Sequence, residues 1–393
     1  MAKLLISCDD YIYSYNGKLY YKNHEWRDFY DRYLRVFEEI KIANRVIVED
    51  KLRPERIIID NPHVTVHPIP IFHGPKQYLL RYCKIGHALR NAVEECDAAI
   101  LRLPSTVAMR LSRKVIKERI PYAVEVVFDA HDGAKTSSSI IEKILWAIID
   151  YRMRHICSKA DGVSCVTEKY LQRRYFSSKV GHFESHYSTL ALDSSFFSAP
   201  RKYPDNKTMT IAHVDMQIGL HGRKGADIII QAASTLLHKM GIGVNIMFAG
   251  EDLDNSADKI KEYAKTYGIE GHVSCPGFLS RAKLSQFLDD SDLFVLPTKA
   301  EGLPRVIIEA IAKGLPTITT PASGNSELIP KEYLVEFNDV NSLASTIAQL
   351  VTDRNAYEEA SKTNYEHSLQ YEGSILQARR DQFYNQLKQQ INN

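Results

Sequence analysis

The sequence predicts an α/β protein with two doubly wound parallel sheets, one in each half of the chain. Short apolar, β-branched runs alternate with helix-length periodic stretches, the order that builds a parallel sheet covered on both faces. The alternation stops across Ser194–Asn206, which carries Ser, Pro, Asp and Asn without periodicity, and starts afresh at Thr208. Residues 293–314, LFVLPTKAEGLPRVIIEAIAKG, then place a continuous apolar strand, a carboxylate-bearing loop and a Pro-started helix in immediate succession.

In the first half, strands are predicted at Lys3–Ser7, Arg56–Ile59, Ala98–Arg102, Tyr122–Phe128 and Gly162–Val166. Asn16-Gly17 between alternating aromatic residues reads as a two-residue type I′ hairpin. Ile140–Lys159 reads as a helix with Trp146 among aliphatic residues and Arg152, Arg154 and Lys159 at its end; its apolar positions face either a core or a membrane surface. In the second half, strands are predicted at Thr208–His213, Val244–Ala249, His272–Cys275, Leu293–Leu296 and Thr317–Thr319, with a helix over Ala226–Met240 and a last one over about Glu372–Lys388. The expected division is 1–195, 207–371 and a terminal helix in 372–393.

Composition sets the class. The chain has 393 residues, 44% hydrophobic and 25% charged, as in a globular protein with room for two domains. No apolar run approaches the roughly 18 to 20 residues that span a bilayer, and Met1–Ile6 meets Asp9-Asp10 too soon for a signal peptide. A cytoplasmic protein is expected. The six cysteines (Cys8, Cys83, Cys96, Cys157, Cys165, Cys275) form no Cys-x-x-Cys pair, which argues against a zinc site or a disulfide framework. Charge is uneven: residues 1–190 hold 30 Lys and Arg against 23 Asp and Glu, and residues 191–393 hold 20 against 25. The basic half suits a phosphorylated acceptor or peripheral contact with an acidic membrane surface, or is simply a solvated face. No nucleic-acid partner is expected.

The chemistry concentrates in the second half. Leu293–Leu296 ends at Pro297, and the chain turns through Thr298–Gly302 before Pro304, whose fixed φ and missing N–H suit the start of a helix. Gly302 allows close backbone approach, and the free amides around Val306 favour an anion such as a diphosphate. Glu301 on the loop and Glu309 in the helix are placed to bracket one ligand from opposite ends. Gly219–Gly225 sets Arg223 and Lys224 among glycines just before the 226–240 helix, a second place for a diphosphate, with Arg223 the first choice. Gly250 closes another strand at its carboxyl end, as a ligand contact or a turn glycine. The Asp289-Asp290-Ser291-Asp292 cluster precedes its strand and so lies on the wrong side of the sheet for a metal; no divalent metal is required.

Glu301-Gly302-Leu303-Pro304, Glu309-Ala310 and Ala312-Lys313-Gly314-Leu315-Pro316 together resemble the donor-site motif of retaining GT-B glycosyltransferases of family 4. The resemblance implies two Rossmann-like domains facing across a cleft, with the last helix crossing back to the first. It gives Glu301, Gly302, Leu303 and Pro304 to the transferred sugar and its phosphates, and Glu309 to the ribose. Arg223 or Lys224 neutralises the leaving nucleoside diphosphate, and Phe278 and Leu279 supply backbone contacts to the base. The family's Gly-Arg after the first strand of this domain is here His213-Val214-Asp215, and its Gly-rich loop after the first strand of the chain is Ser7-Cys8-Asp9-Asp10. Leu101–Ser105 and Val166–Tyr175 look like segments of bacterial capsule and exopolysaccharide enzymes. In the first half His131, in Asp129-Ala130-His131-Asp132-Gly133, is a candidate for holding a sugar hydroxyl, and the tyrosine-rich hairpin either stacks on a sugar ring or packs on its own domain.

The implied function is retaining transfer of a sugar from a nucleotide sugar to a glycan acceptor, lipid-linked, in surface polysaccharide biosynthesis. No cofactor or metal is called for, and in the family's mechanism the leaving diphosphate helps take the acceptor's proton. A GT-B epimerase or hydrolase-type enzyme, and a non-catalytic sugar-nucleotide-binding protein, are the alternatives.

Overall fold

The computed structural model describes residues 1–137, 139–205 and 208–392. These form two compact units: Met1–Tyr187 together with the chain from Gln377, and Ser188–Leu376.

The first unit contains β1 (Lys3–Ser7), β2 (Tyr11–Tyr15), β3 (Lys18–Tyr21), β4 (Glu39–Val48), β5 (Ile57–Ile58), β6 (Val64–Pro70), β7 (Ala98–Leu103), β8 (Tyr122–Val126), β9 (Gly162–Cys165) and β10 (Phe183–His186). Its parallel core runs β6-β4-β1-β7-β8-β9-β10. Leu4, Leu5 and Ile6 of the central β1 are fully buried, as expected of a strand covered on both faces. The sequence reading missed β4, β6 and β10. It put a core strand at Arg56–Ile59, but only Ile57–Ile58 pair, as a short antiparallel edge beside β3. The second core strand is β4.

Where a Gly-rich loop would follow β1, the chain gives up only Cys8–Asp10 and continues along β4 as β2, in register Tyr11↔Arg45 after Lys3↔Glu39. Asn16 and Gly17 have φ of 48° and 74°, the positive pair a type I′ turn needs, and lead into β3. Tyr13, Tyr20 and Tyr21 of this hairpin are buried, and the Arg56 guanidinium lies 3.6 Å from the centre of the Tyr13 ring. The hairpin packs on its own unit.

Glu125 of β8 ties the first unit together. Its buried carboxylate accepts from Tyr187 and Tyr384 at 2.9 Å, Arg102 at 3.0 Å and Tyr33 at 3.2 Å. Burial alone would raise its pKa, but the Arg32 and Arg102 charges and the tyrosine hydroxyls hold it below the ordinary value. Tyr384 belongs to the helix Gly373–Gln389, and Phe383 beside it packs edge-on against Phe183 at 5.0 Å. The last helix is thereby anchored to β8 and β10.

The second unit contains β11 (Thr210–Gln217), β12 (Asn245–Glu251), β13 (Val273–Gly277), β14 (Leu293–Leu296) and β15 (Thr317–Thr319), all parallel in the order β13-β12-β11-β14-β15. The 226–240 helix has the predicted limits and is stopped by Gly241 at φ 69°. Ser194–Asn206, read as a linker, is largely fastened to this unit. The Ser198 amide donates to Ala312 O at 3.0 Å, and Arg201 donates to the carbonyls of Lys313, Asp289 and Leu288 at 2.8 to 3.0 Å. Asn206 lies outside the described residues.

Asp10, in the short connection between β1 and β2, is 4% exposed, and one of its carboxylate oxygens has no partner among the described residues. Burial pushes its pKa up to about 7. A carboxyl raised on folding favours the folded state at acid pH, and that contribution is lost as pH rises from about 4 through 7. Asp10→Asn therefore should raise the melting temperature at pH 8, by an amount corresponding to a few kcal/mol, and change it little at pH 4. A variant destabilised equally at both pH values would contradict this.

Candidate active site

The order β13-β12-β11-β14-β15 has one reversal, between β11 and β14. These neighbours pair as Ile211↔Leu293 and Ala212↔Phe294, yet their outgoing connections lead to strands on opposite sides. A doubly wound sheet opens a crevice at this point, beyond the carboxyl ends of the strands. The β11 connection brings Lys224 there, and the β14 connection brings Thr298, Glu301 and Gly302.

The two connections touch. Gly225 has φ 68°, and a Cβ built on it would lie 2.5 Å from Pro297 O, so no other residue fits without strain. The Lys299 amide donates to Arg223 O at 3.0 Å. Lys224 then reaches Glu301: its ammonium ion-pairs with Glu301 Oε1, and the Thr298 hydroxyl donates to the same oxygen at 3.2 Å. Both charged side chains are nearly buried, at 12% and 11% exposure, so each depends on the other for compensation. Thr298 is fully buried, and its carbonyl accepts from Thr320 Oγ1 at 2.5 Å. Gly302 O accepts from the Gly324 amide at 3.1 Å, tying the loop to the segment after β15.

Pro304 forms the N-cap of the helix Arg305–Ala312, and Glu309 is buried within that helix. Gly302, Leu303 and Pro304 are buried at its entrance. Of the two cations Lys224 is the one joined to Glu301, whereas Arg223 has an exposed side chain. Gly250 answers first to a backbone need: φ is 154°, and a Cβ would come within 2.4 Å of Asp215 O. Phe278, 73% exposed, and Leu279 follow β13 at the edge of the sheet, two strands from β11.

His213 lies inside β11, which continues to Gln217 instead of turning at the expected Gly-Arg position. Its Nδ1 lies 3.0 Å from Val295 O, to which the neutral ring donates. Burial pushes the imidazole down to about 4. The aspartate cluster is structural: Asp289 accepts from Lys313 Nζ at 2.8 Å, and Asp292 accepts from the Thr210 amide at 2.8 Å before β14 begins. Thr298 and Gly225 lie in the two loops the sequence singles out, but their parts in holding Glu301 and in bringing the loops together are not visible there. The Pro-Thr following an apolar strand was their signal, but only the meeting of the two loops gives it meaning.

His131 belongs to the first unit, on the helix Ala130–Thr136, with its side chain partly exposed and its Nδ1 4.0 Å from Asp132. Donor atoms of Asp129, His131 and Asp132 lie within 4.8 Å of one another, the one such group among the described residues. Both carboxylates already have protein partners: Asp129 accepts from Tyr175 at 2.8 Å and Asp132 from Tyr170 at 3.0 Å.

Residues 219–367 match the family model of the glycosyl transferases group 1, a span holding Lys224, Glu301 and Glu309. The protein is a glycosyltransferase. Protein CapJ of Staphylococcus aureus is 29% identical to it over 373 residues, 92% of this chain and 90% of CapJ. A UDP-Gal:alpha-D-GlcNAc-diphosphoundecaprenol alpha-1,3-galactosyltransferase of Escherichia coli is 36% identical over 77 residues, 19% of this chain and 20% of that one. Anabaena HepE, solved in complex with UDP, superposes with a TM-score of 0.69 at 14% identity, covering 97% of this chain and 99% of HepE. At that identity the likeness is one of fold, and it places the glycosyltransferase among GT-B structures.

Gly225→Ala should lower the melting temperature of the glycosyltransferase by several degrees, a cost of about 2 kcal/mol from the positive φ and the Pro297 contact. Gly219→Ala, with open space around its Cβ, should leave it unchanged. Equal melting temperatures for the two variants would show that the connections do not press together here.

Proposed function

We propose that the protein transfers a sugar from a nucleotide sugar to a glycan acceptor, with retention at the anomeric carbon and without a metal. The observation carrying this reading is the nearly buried Lys224–Glu301 pair at the switch point, followed by the helix that carries Glu309. A diphosphate entering the crevice offers Lys224 a stronger anionic partner and frees Glu301 for the hydroxyls of the sugar. The pair thus keeps two charges compensated until the donor takes one partner each. The amides opening the 305–312 helix add positive potential for the phosphates, and Glu309 holds the ribose.

In the reaction the bond between the anomeric carbon and the phosphate oxygen breaks, and the bond to the acceptor oxygen forms on the same face. The acceptor's proton passes to an oxygen of the leaving diphosphate. The protein contributes position and charge: Lys224, with Arg223 on the same loop, stabilises the diphosphate as negative charge develops. The acceptor is proposed to be a lipid-linked glycan of surface polysaccharide biosynthesis, bound by the first unit with His131 at a sugar hydroxyl. The diphosphoundecaprenol in the name of the Escherichia coli relative supports this choice, and the UDP in that name and in the HepE complex makes UDP-sugars the first donors to test.

With a UDP-sugar and a diphosphate-linked glycan acceptor, Glu301→Gln should lower kcat by about two orders of magnitude. Glu309→Gln should chiefly raise the donor KM, and chelation with EDTA should change neither constant. Proton NMR of the product should show the anomeric configuration of the donor. Inversion, loss of activity in EDTA restored by a divalent cation, or full activity in both glutamine variants would each overturn the corresponding assignment.

A further inference from the structure

The first unit carries a surface that the transfer chemistry leaves unused. The helix Ile140–Ser158 exposes Ile140, Ile141, Ile144, Leu145, Ile148 and Tyr151, at 37% to 75% exposure. At 100° per residue these six occupy an arc of about 140°, and Arg152 falls within it. Single exposed apolar residues are ordinary, whereas a row of this length on one helix face marks an interaction surface.

A cluster of cations adjoins the row. Arg152 donates to Met109 O at 2.9 Å on the neighbouring helix Thr106–Lys117, which also carries Arg110 and Arg113. Arg110 donates to Tyr82 O at 2.8 Å and lies 3.6 Å from the centre of that ring. Burial, and after it the charges of Arg113 and Arg110, lower the pKa of Arg152. Among the described residues no carboxylate ion-pairs with any of the three arginines. Just before Tyr82, Leu79 and Leu80 are 69% and 78% exposed. The cluster therefore has exposed apolar side chains on two sides and no internal counter-charge.

We propose that this face docks the protein on an anionic lipid bilayer. The isoleucine row enters the boundary between headgroups and acyl chains, and the arginines take lipid phosphates. No helix among the described residues is long and apolar enough to cross a membrane, so this one lies along the surface. A second copy of the chain is a poorer occupant, because two such faces meeting about a twofold axis would bring uncompensated arginines together. The excess of cations in residues 1–190 acts in the same direction.

Cosedimentation of the full chain with vesicles provides the test. Binding is expected with one-third phosphatidylglycerol in phosphatidylcholine, little with phosphatidylcholine alone, and less as salt is raised. The double variant Ile144→Glu, Ile148→Glu should weaken partitioning at least tenfold, and Arg113→Gln about fivefold. Their unchanged melting temperatures would show that the fold is intact. Absence of vesicle binding, binding indifferent to lipid charge, or variants that partition like the wild type would overturn the proposal. So would a concentration-dependent dimer that dissociates in the double variant while vesicle binding stays absent.

Discussion

The second unit's chemistry depends on one constraint: two connections that leave adjacent parallel strands in opposite directions must touch at their start. Gly225 against the Pro297 carbonyl sets the contact, and the Lys299 amide on Arg223 O fixes its register. Once the loops are that close, Lys224 and Glu301 lose most of their water and compensate each other. Thr298, buried and held by Thr320, orients the carboxylate. A charged pair largely withdrawn from water follows from where the sheet reverses.

The first unit solves a different problem with the same topology. Its switch point lies between β1 and β7, but the chain leaving β1 stays on the sheet and builds a hairpin there. Five hydrogen-bonding or ionic partners converge on Glu125 and draw the last helix into the core of this unit. What it leaves exposed is the row of isoleucines beside three uncompensated arginines. One unit concentrates charge in a crevice and the other displays charge beside apolar surface.

Much of this was legible in the sequence where local pattern and burial agree. Leu293–Leu296, the 226–240 helix and the Asn16-Gly17 turn appear as predicted, because an unbroken apolar run, a glycine stop and a type I′ pair each have one good local solution. β4 was hidden because Asn44 and Arg45 interrupt its apolar pattern; both are buried, Asn44 bonded to Tyr30 at 2.7 Å and Arg45 stacked on Tyr11 at 4.2 Å. β6 was hidden by Pro68 and Pro70, which a strand tolerates at an edge; among the described strands β6 pairs with β4 alone. Glu301 and Glu309 stand out in the motif. Which neighbouring cation joins Glu301 was not legible, since Arg223 and Lys224 differ only in the direction the loop gives them before Gly225.

The most direct measurement of the central claim is thermal denaturation of the wild type and of Lys224→Met over a titration with UDP-, GDP- and ADP-sugars. A ligand that binds only the folded state must raise its melting temperature. The account predicts a saturable rise with one class of nucleotide sugar in the wild type and loss of most of it in Lys224→Met. A wild type that responds to none of them, or a variant that responds as fully as the wild type, would contradict the assignment of the switch-point crevice as the donor site.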